Sequence, residues 1–383
     1  MPVNIGLADT SNTCLLIAVL LYAVGTLAYA GDFAFARHRL LAGLVPIPAP
    51  AQAAAPAPVL VGAGPAAGEA EAAGPAAARQ AAGYDSAAGY GSAAAGLRAA
   101  GVTQPDGGLL ADSPAVRSGG PPAKPRRGPA GGWVRTAFGF TCAGLVAQVA
   151  SIAARGLAED RVPWGNMFEF IAAFTCMAVI VLVTASVRFR AYYLGLFVLM
   201  PVVLALTLDV ALVYTPAGSL VPALQSYWIA IHVTAMIVAI GLFIVGSVVT
   251  LMYLAAARHE RQVAAGLPSR GGGIIAQLPR PAVLDRLAYR SVLFAFPVWT
   301  FGVMAGAIWA DHAWGRYWGW DPKETWSFIT WVVYACFLHA RATAGWRGRK
   351  AAYIQLAGFV CLMFNVVGIN LWVNGLHSYA GLG

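Results

Sequence analysis

Eight stretches of the chain run for about 20 residues with almost no charge, and this feature limits the fold more than any other. They lie near residues 12–30, 133–154, 167–187, 191–209, 227–256, 291–310, 326–344 and 351–372. A helix needs ~20 predominantly apolar residues to cross a bilayer. In lipid, backbone polar groups must be satisfied within the spanning segment, so solid runs of this length are helices. A membrane β-barrel would instead show weak apolar alternation. Composition agrees: 59% of the 383 residues are hydrophobic and only 11% charged, against roughly 25% charged in soluble proteins. A soluble enzyme and a disulfide-stapled secreted domain are excluded. The expected fold is all-α, a polytopic membrane helical bundle of about eight transmembrane helices. Cys14, Cys142, Cys176, Cys336 and Cys361 all fall inside apolar runs with no C-x-x-C, the setting of inert buried thiols.

The first run is too long for a signal-peptide core and lacks a basic n-region, so it reads as a retained helix. Residues 45–130 are dominated by Ala, Gly and Pro. They offer too little apolar surface to offset chain entropy and read as a disordered linker. Three parts follow: an N-terminal transmembrane helix over 1–44, the linker over 45–130, and a membrane domain over 131–383.

Charge placement predicts orientation. With the N-terminus outside, all but four of the 25 Lys and Arg residues fall in inner loops; the exceptions are Arg155, Arg161, Arg316 and Lys323. The positive-inside bias selects this threading. Both termini are then extracytoplasmic, in a multi-pass protein of the cytoplasmic membrane with a cytoplasmic linker. The net charge of +9 is explained by topology, and no nucleic-acid partner is expected.

The densest chemical signal is the outer segment from Trp314 through Gly315, Arg316, Tyr317, Trp318, Gly319, Trp320, Asp321, Pro322, Lys323, Glu324 and Thr325 to Trp326. Trp309 precedes it and Trp331 follows, so the whole region spans 309–331. One reading is an aromatic belt at the membrane interface. The other is a binding platform, with indole faces for stacking and glycines that allow close approach to something flat. Asp321, Pro322 and Glu324 fit the N-cap, first-turn proline and N3 of a capping box. Asn166 and Glu169, after Pro163 and Trp164, fit the same pattern one hairpin earlier.

Of six histidines, His38 and His259 read as solvated loop residues and His312 is ambiguous. His232 lies near the outer end of the fifth run and His377 just beyond the outer end of the eighth. His339 falls thirteen residues after Trp326, roughly 20 Å inward at 1.5 Å per residue. An ionisable group at such depth marks a ligand or transport path, or a satisfied core histidine. Two neutral imidazoles beside a flat aromatic surface suit a haem. Ordinary packing roles stay open, as does zinc, which would want a third or fourth ligand nearby.

The tryptophan segment resembles the WWD signature of the haem-handling membrane proteins of cytochrome c maturation. From residue 133 onward the chain is similar to the integral-membrane subunit of the two-component, System II cytochrome c synthase, of the CcsA or ResC type. The segments ending in Glu169, His232, Arg341 and Tyr379 resemble that family's motifs in order. The resemblance implies haem b as cargo, ligated externally by His232 and His377 and received from the cytoplasmic side by His339. Trp314, Trp318, Trp320, Trp326 and Asp321 belong to the implied cofactor-binding set. It also implies a ResB-like membrane partner subunit, apocytochrome c as acceptor, and thiol-reducing proteins. Within such a haem lyase the chain would act as one subunit, presenting haem to the C-x-x-C-H of apocytochrome c. Arg155, Arg161, Arg316 and Lys323 are matched in charge to haem propionates. Two other readings remain: a membrane b-type electron-transfer cytochrome, which needs more paired buried histidines, and a transporter with an aromatic gate, which would more naturally show inverted repeats.

Overall fold

A computed structural model describes residues 3–42, 131–219, 222–267, 273–343 and 345–377, with the backbone alone over 36–42. The linker expected over 45–130 lies outside the described residues. Among the described residues there are nine α-helices: α1 Ile5–Ala42, α2 Gly132–Glu159, α3 Met167–Phe189, α4 Gly195–Leu208, α5 Tyr227–Ala264, α6 Pro281–Trp314, α7 Pro322–Ala342, α8 Arg349–Met363 and α9 Ile369–Trp372. A π-helical turn, Asp209–Val213, continues α4, and another, Phe364–Gly368, joins α8 to α9. There is no strand among the described residues. The protein is an all-α membrane bundle, as its apolar runs demand.

Among the described residues seven segments are long and apolar enough to cross a membrane: α1 to residue 35, α2, α3, Tyr192–Val213, α5, α6 and Arg349–Trp372. The remaining expected run, 326–344, is also a helix, α7, of 21 residues. It opens with Pro-Lys-Glu-Thr and ends with His339 and Arg341, which makes it more polar than its neighbours. Helix α6 begins at Pro281, ten residues before the apolar run, because Pro281 occupies the first turn and good helix formers follow. Arg341, in the last turn of α7, reaches back to Asp285 near the start of α6 in a two-pronged pair of 2.8 and 3.0 Å, tying these two helix ends together.

Packing in lipid cannot rest on expulsion of water between helices, so close approach and polar bridges matter. Helix α1 lays Leu15, Ala18, Tyr22 and Tyr29 into the bundle, each 2% exposed or less. A Cβ on Gly144 would lie 2.5 Å from the Tyr22 ring, and one on Gly195 would collide with Tyr29. The bare backbones of α2 and α4 are what admit these tyrosines. Tyr22 donates to Gln148 Oε1 at 2.8 Å, and the Gln148 amide donates to Ala172 O and Thr175 Oγ1, so one polar chain joins α1, α2 and α3. On the other side Met236, Ile240, Phe243, Trp299, Tyr334 and Val366 form a core shared by α5, α6, α7 and α8. Phe243 and Tyr334 stack at 3.9 Å. This second core is the floor of the cavity described next.

Candidate functional site

A cavity of about 1080 Å³, counting space open to solvent, lies between the ends of α3, α5, α6, α7 and α9. Trp164, Met167 and Phe170 line it from the α2–α3 side, and His232, Val233 and Met236 from α5. Helix α6 contributes Trp299, Val303, Gly306, Trp309 and Trp314, and the following loop adds Tyr317 and Trp318. Lys323, Glu324 and Ser327 face it from α7, with Asn365, Asn370 and His377 from the last elements.

Both histidines meet one indole. Trp309, 2% exposed, lies parallel to His232 at 6.0 Å between ring centroids and 5.7 Å from His377. Its Nε1–H donates to Ala223 O at 3.1 Å, which fixes the ring. Trp314 closes the corner at 4.7 Å from Trp309 and 5.1 Å from His377. His232 Nδ1 pairs with Gly302 O at 2.7 Å, and a carbonyl only accepts, so the proton is on Nδ1. His377 Nδ1 pairs with Asp321 Oδ2 at 2.9 Å, which favours the same tautomer. In both rings the metal-binding lone pair is then on Nε2. Orientation of a ligating imidazole by a bond from its other nitrogen is the usual arrangement in metal sites.

Burial pushes the His377 imidazole below its ordinary value near 6.5, against the hydrogen bond to Asp321. Burial alone would raise the Asp321 carboxyl, but the bonds from His377 and from Leu376 N more than reverse it and hold the group below its usual range. A neutral imidazole on an ionised carboxylate is the pair that results at neutral pH. Asp321 is therefore more than a cap. The capping box with Glu324 is present, yet one carboxylate also ties the segment after α9 to the start of α7.

The tryptophan segment divides between its two readings. Trp314 and Trp318 line the cavity. Trp320 turns outward, 64% exposed, with its backbone in the left-handed region at φ 57, which is uncommon for a bulky side chain. It meets Phe328 at 6.1 Å, and Phe328 stacks on Trp331 at 6.2 Å, an aromatic strip on the outer flank. Trp326 packs on Phe364 at 4.3 Å and is absent from the cavity lining. The glycines have other work than close approach to a ligand. Gly315, at φ 69, ends α6, and Gly319 leaves room for the Arg316 side chain.

His339 is not brought to the cavity. It is exposed on α7, on the flank that also exposes Phe328, Val332 and Cys336. His312 is exposed too, its Nδ1 on Ile308 O. Arg155 and Arg161 are occupied by Glu159 and Glu169 at 2.6–3.2 Å, and Arg316 leans toward Glu324 at 3.9 Å. Among the described residues no three His, Cys, Asp or Glu side chains gather as a metal site, so the zinc reading lacks its extra ligands.

Reading single motifs misses Trp299, Gly302 and Gly306, and takes Trp309 only as the edge of the tryptophan segment. Their signal is the spacing of three and four along α6, which puts them on one helix face. A methyl on Gly306 would lie 2.7 Å from His232 Cε1 and Nδ1. Gly306→Ala therefore displaces the imidazole, and on the haem-binding reading that the resemblance implies, haem retained per protein, read from the Soret absorbance, should fall by about tenfold. Gly139→Ala, where a methyl meets nothing within 4 Å, should leave it unchanged.

The family model described as cytochrome C assembly protein matches residues 164–377, the stretch that contains all of this lining. A cytochrome c biogenesis protein CcsA of Gloeobacter violaceus is 34% identical over 292 residues, 64% of this chain and 86% of that protein. The CcsA protein of Guillardia theta is 32% identical over 258 residues, 64% of this chain and 85% of its own. That of Chlamydomonas reinhardtii is 44% identical over 163 residues, 43% of each chain. The chain belongs to the cytochrome C assembly protein family and is of the CcsA type.

Proposed function

We propose that this protein serves cytochrome c maturation by holding haem b between His232 and His377 and presenting it to apocytochrome c. The observation that carries the reading is the meeting of these two histidines, far apart in the chain, on the single indole of Trp309. Both turn Nδ1 to a protein acceptor. Two nitrogen ligands saturate the axial positions of a haem iron, and Trp309 and Trp314 supply apolar, stacking surface at its rim.

In this reading Asp321 and the Gly302 carbonyl hold the two tautomers, while Met236, Ile240 and Trp299 keep water from the floor. The cavity stays open to solvent on one side, so a C-x-x-C-H peptide can approach. Its histidine replaces one protein imidazole on the iron. Each cysteine thiol then adds across a vinyl group: a C–S bond forms at one vinyl carbon and the thiol hydrogen ends on the other. The addition is redox-neutral but needs free thiols, hence thiol-reducing partners. The protein's share is mainly positioning, which lowers the entropic part of the barrier.

The site lies extracytoplasmically by the positive-inside rule, with both termini on that side. His339, on the exposed flank of α7, receives haem from the cytoplasmic side. A ResB-like membrane subunit against that flank completes the route and makes the pair a synthase. The b-type cytochrome and transporter readings have no structural feature in their favour that the haem-handling one lacks.

The test is a visible spectrum of the complex purified from membranes, followed as the pH is lowered. A low-spin, six-coordinate haem is expected. A proton competes for the His377 lone pair, and burial disfavours that proton. The spectrum should therefore persist as pH falls through 6.5, where free imidazole titrates, and change only below it. A purified complex with no Soret band would sink the proposal.

A further inference from the structure

Two charged side chains line the cavity, and only Glu324 has an oppositely charged side chain within ion-pair distance. The Glu324 Oε2 accepts from the amides of Gly319 and Asp321 at 2.8 and 3.0 Å, with Arg316 at 3.9 Å. Lys323 Nζ donates to Asn370 Oδ1 at 2.7 Å. No carboxylate lies within ion-pair distance of that ammonium among the described residues. Asn370 is itself committed, its amide donating to Val366 O at 2.6 Å, so its oxygen is held toward the lysine. An ammonium has three donors, and a neutral amide satisfies one. The Asp321 carboxylate acts on the ammonium through space, but its oxygens are engaged by His377, Leu376 N and Lys323 N, and a cation lining a largely apolar cavity without a direct ion pair is costly unless a ligand brings one. Neither imidazole of the site can supply a negative charge.

We infer that Lys323, held by Asn370, is the anchor for a carboxylate of the cargo, so that the site selects a porphyrin by a propionate as well as by its iron. The inference rests on the haem reading above. It separates Lys323 from the other three outer cations of matching charge. Arg155 and Arg161 are consumed in a buried cluster with two glutamates, and Arg316 is folded against Gly319 and Glu324. Lys323 is one residue from the Pro322 that opens α7 and two from Asp321, so the same helix start orients His377 and presents the ammonium. Iron ligation and carboxylate binding are thereby set by one rigid element. This fixes which edge of the porphyrin faces α7 and leaves the other edge for an incoming peptide.

The experiment uses the full chain purified from membranes with the subunits that accompany it, stripped of haem and titrated with ferric haem or with its dimethyl ester, which lacks both carboxylates. Wild type should bind haem about tenfold or more tightly than the ester, the size of a charge-assisted bond. Lys323→Met should lose that preference by weakening haem alone, keeping ester affinity and the six-coordinate spectrum; Lys323→Arg should retain part of the preference. Unchanged ester binding shows that the variant is folded. Equal affinity of wild type for the two porphyrins, or a preference undiminished in Lys323→Met, overturns the role of Lys323 while leaving the histidine ligands standing. If neither porphyrin gives a spectrum that depends on His232 and His377, the haem reading itself fails and this inference falls with it.

Discussion

Replacing either His232 or His377 by alanine is expected to remove the six-coordinate haem spectrum and abolish cytochrome c assembly. Loss of a residue that merely orients a metal ligand costs ~10–100-fold in affinity, and loss of the ligand itself should exceed this. Neither position has a substitute nearby. His339 is exposed on α7 away from the cavity, and His312 is exposed with Nδ1 on its own helix. The alanine leaves an imidazole-sized gap beside Trp309, so added imidazole should restore both the spectrum and part of the assembly. The two variants should differ in secondary effect. His232 packs against Gly306 within the α5–α6 contact, while His377 anchors the segment after α9 through Asp321. His377→Ala should therefore also loosen the chain after residue 372, visible as faster proteolysis there. Full haem and full assembly in both variants would end the axial-ligand assignment.

The second large effect concerns stability rather than ligation. Glu169→Ala should destabilise the fold by about 3–5 kcal/mol, the usual result of orphaning a buried ion pair. Arg155, Glu159, Glu169 and Arg161 form a neutral cluster whose side chains are 3%, 0%, 1% and 13% exposed. Glu169 alone accepts from both arginines, from Gly165 N and from the Asn166 amide. Without it two guanidinium groups face one carboxylate in a poorly solvated place. The melting temperature in detergent should fall by about 10 °C. Because Trp164, Gly165 and Asn166 line the cavity, haem should be lost with it. Glu169→Gln keeps the acceptor oxygen but not the charge and should fall between. A melting temperature within a degree or two of wild type in Glu169→Ala would show that the cluster contributes nothing net.

Glu169 also marks how far sequence reasoning reaches. The local pattern from Asn166 to Glu169 identifies a helix start, and the structure has it, with Asn166 accepting from Glu169 N at 2.9 Å. The same holds for Asp321 and Glu324. Capping is legible because it depends on residues three apart in one chain segment. The arginines that complete the cluster come from α2 and the loop after it, and nothing local signals their convergence. The tryptophan segment shows the same limit. Its composition supports both a belt and a platform, and the turn at Trp320 sends Trp318 inward and Trp320 outward.

The amino-acid sequence by itself determined the helical class, the places of the eight long helices, the two capped helix starts and the histidines worth watching. Each is a property of hydropathy over ~20 residues or of side chains within a turn of one another, and lipid allows few other outcomes for such runs. Tertiary packing decided that Trp309 is the ring both histidines touch, that Asp321 orients His377, and that of Arg155, Arg161, Arg316 and Lys323 only Lys323 lines the cavity without an ion pair. Those relations join residues far apart in the chain, and they exist only once helix faces, glycine contacts and buried charges have selected one arrangement of the bundle.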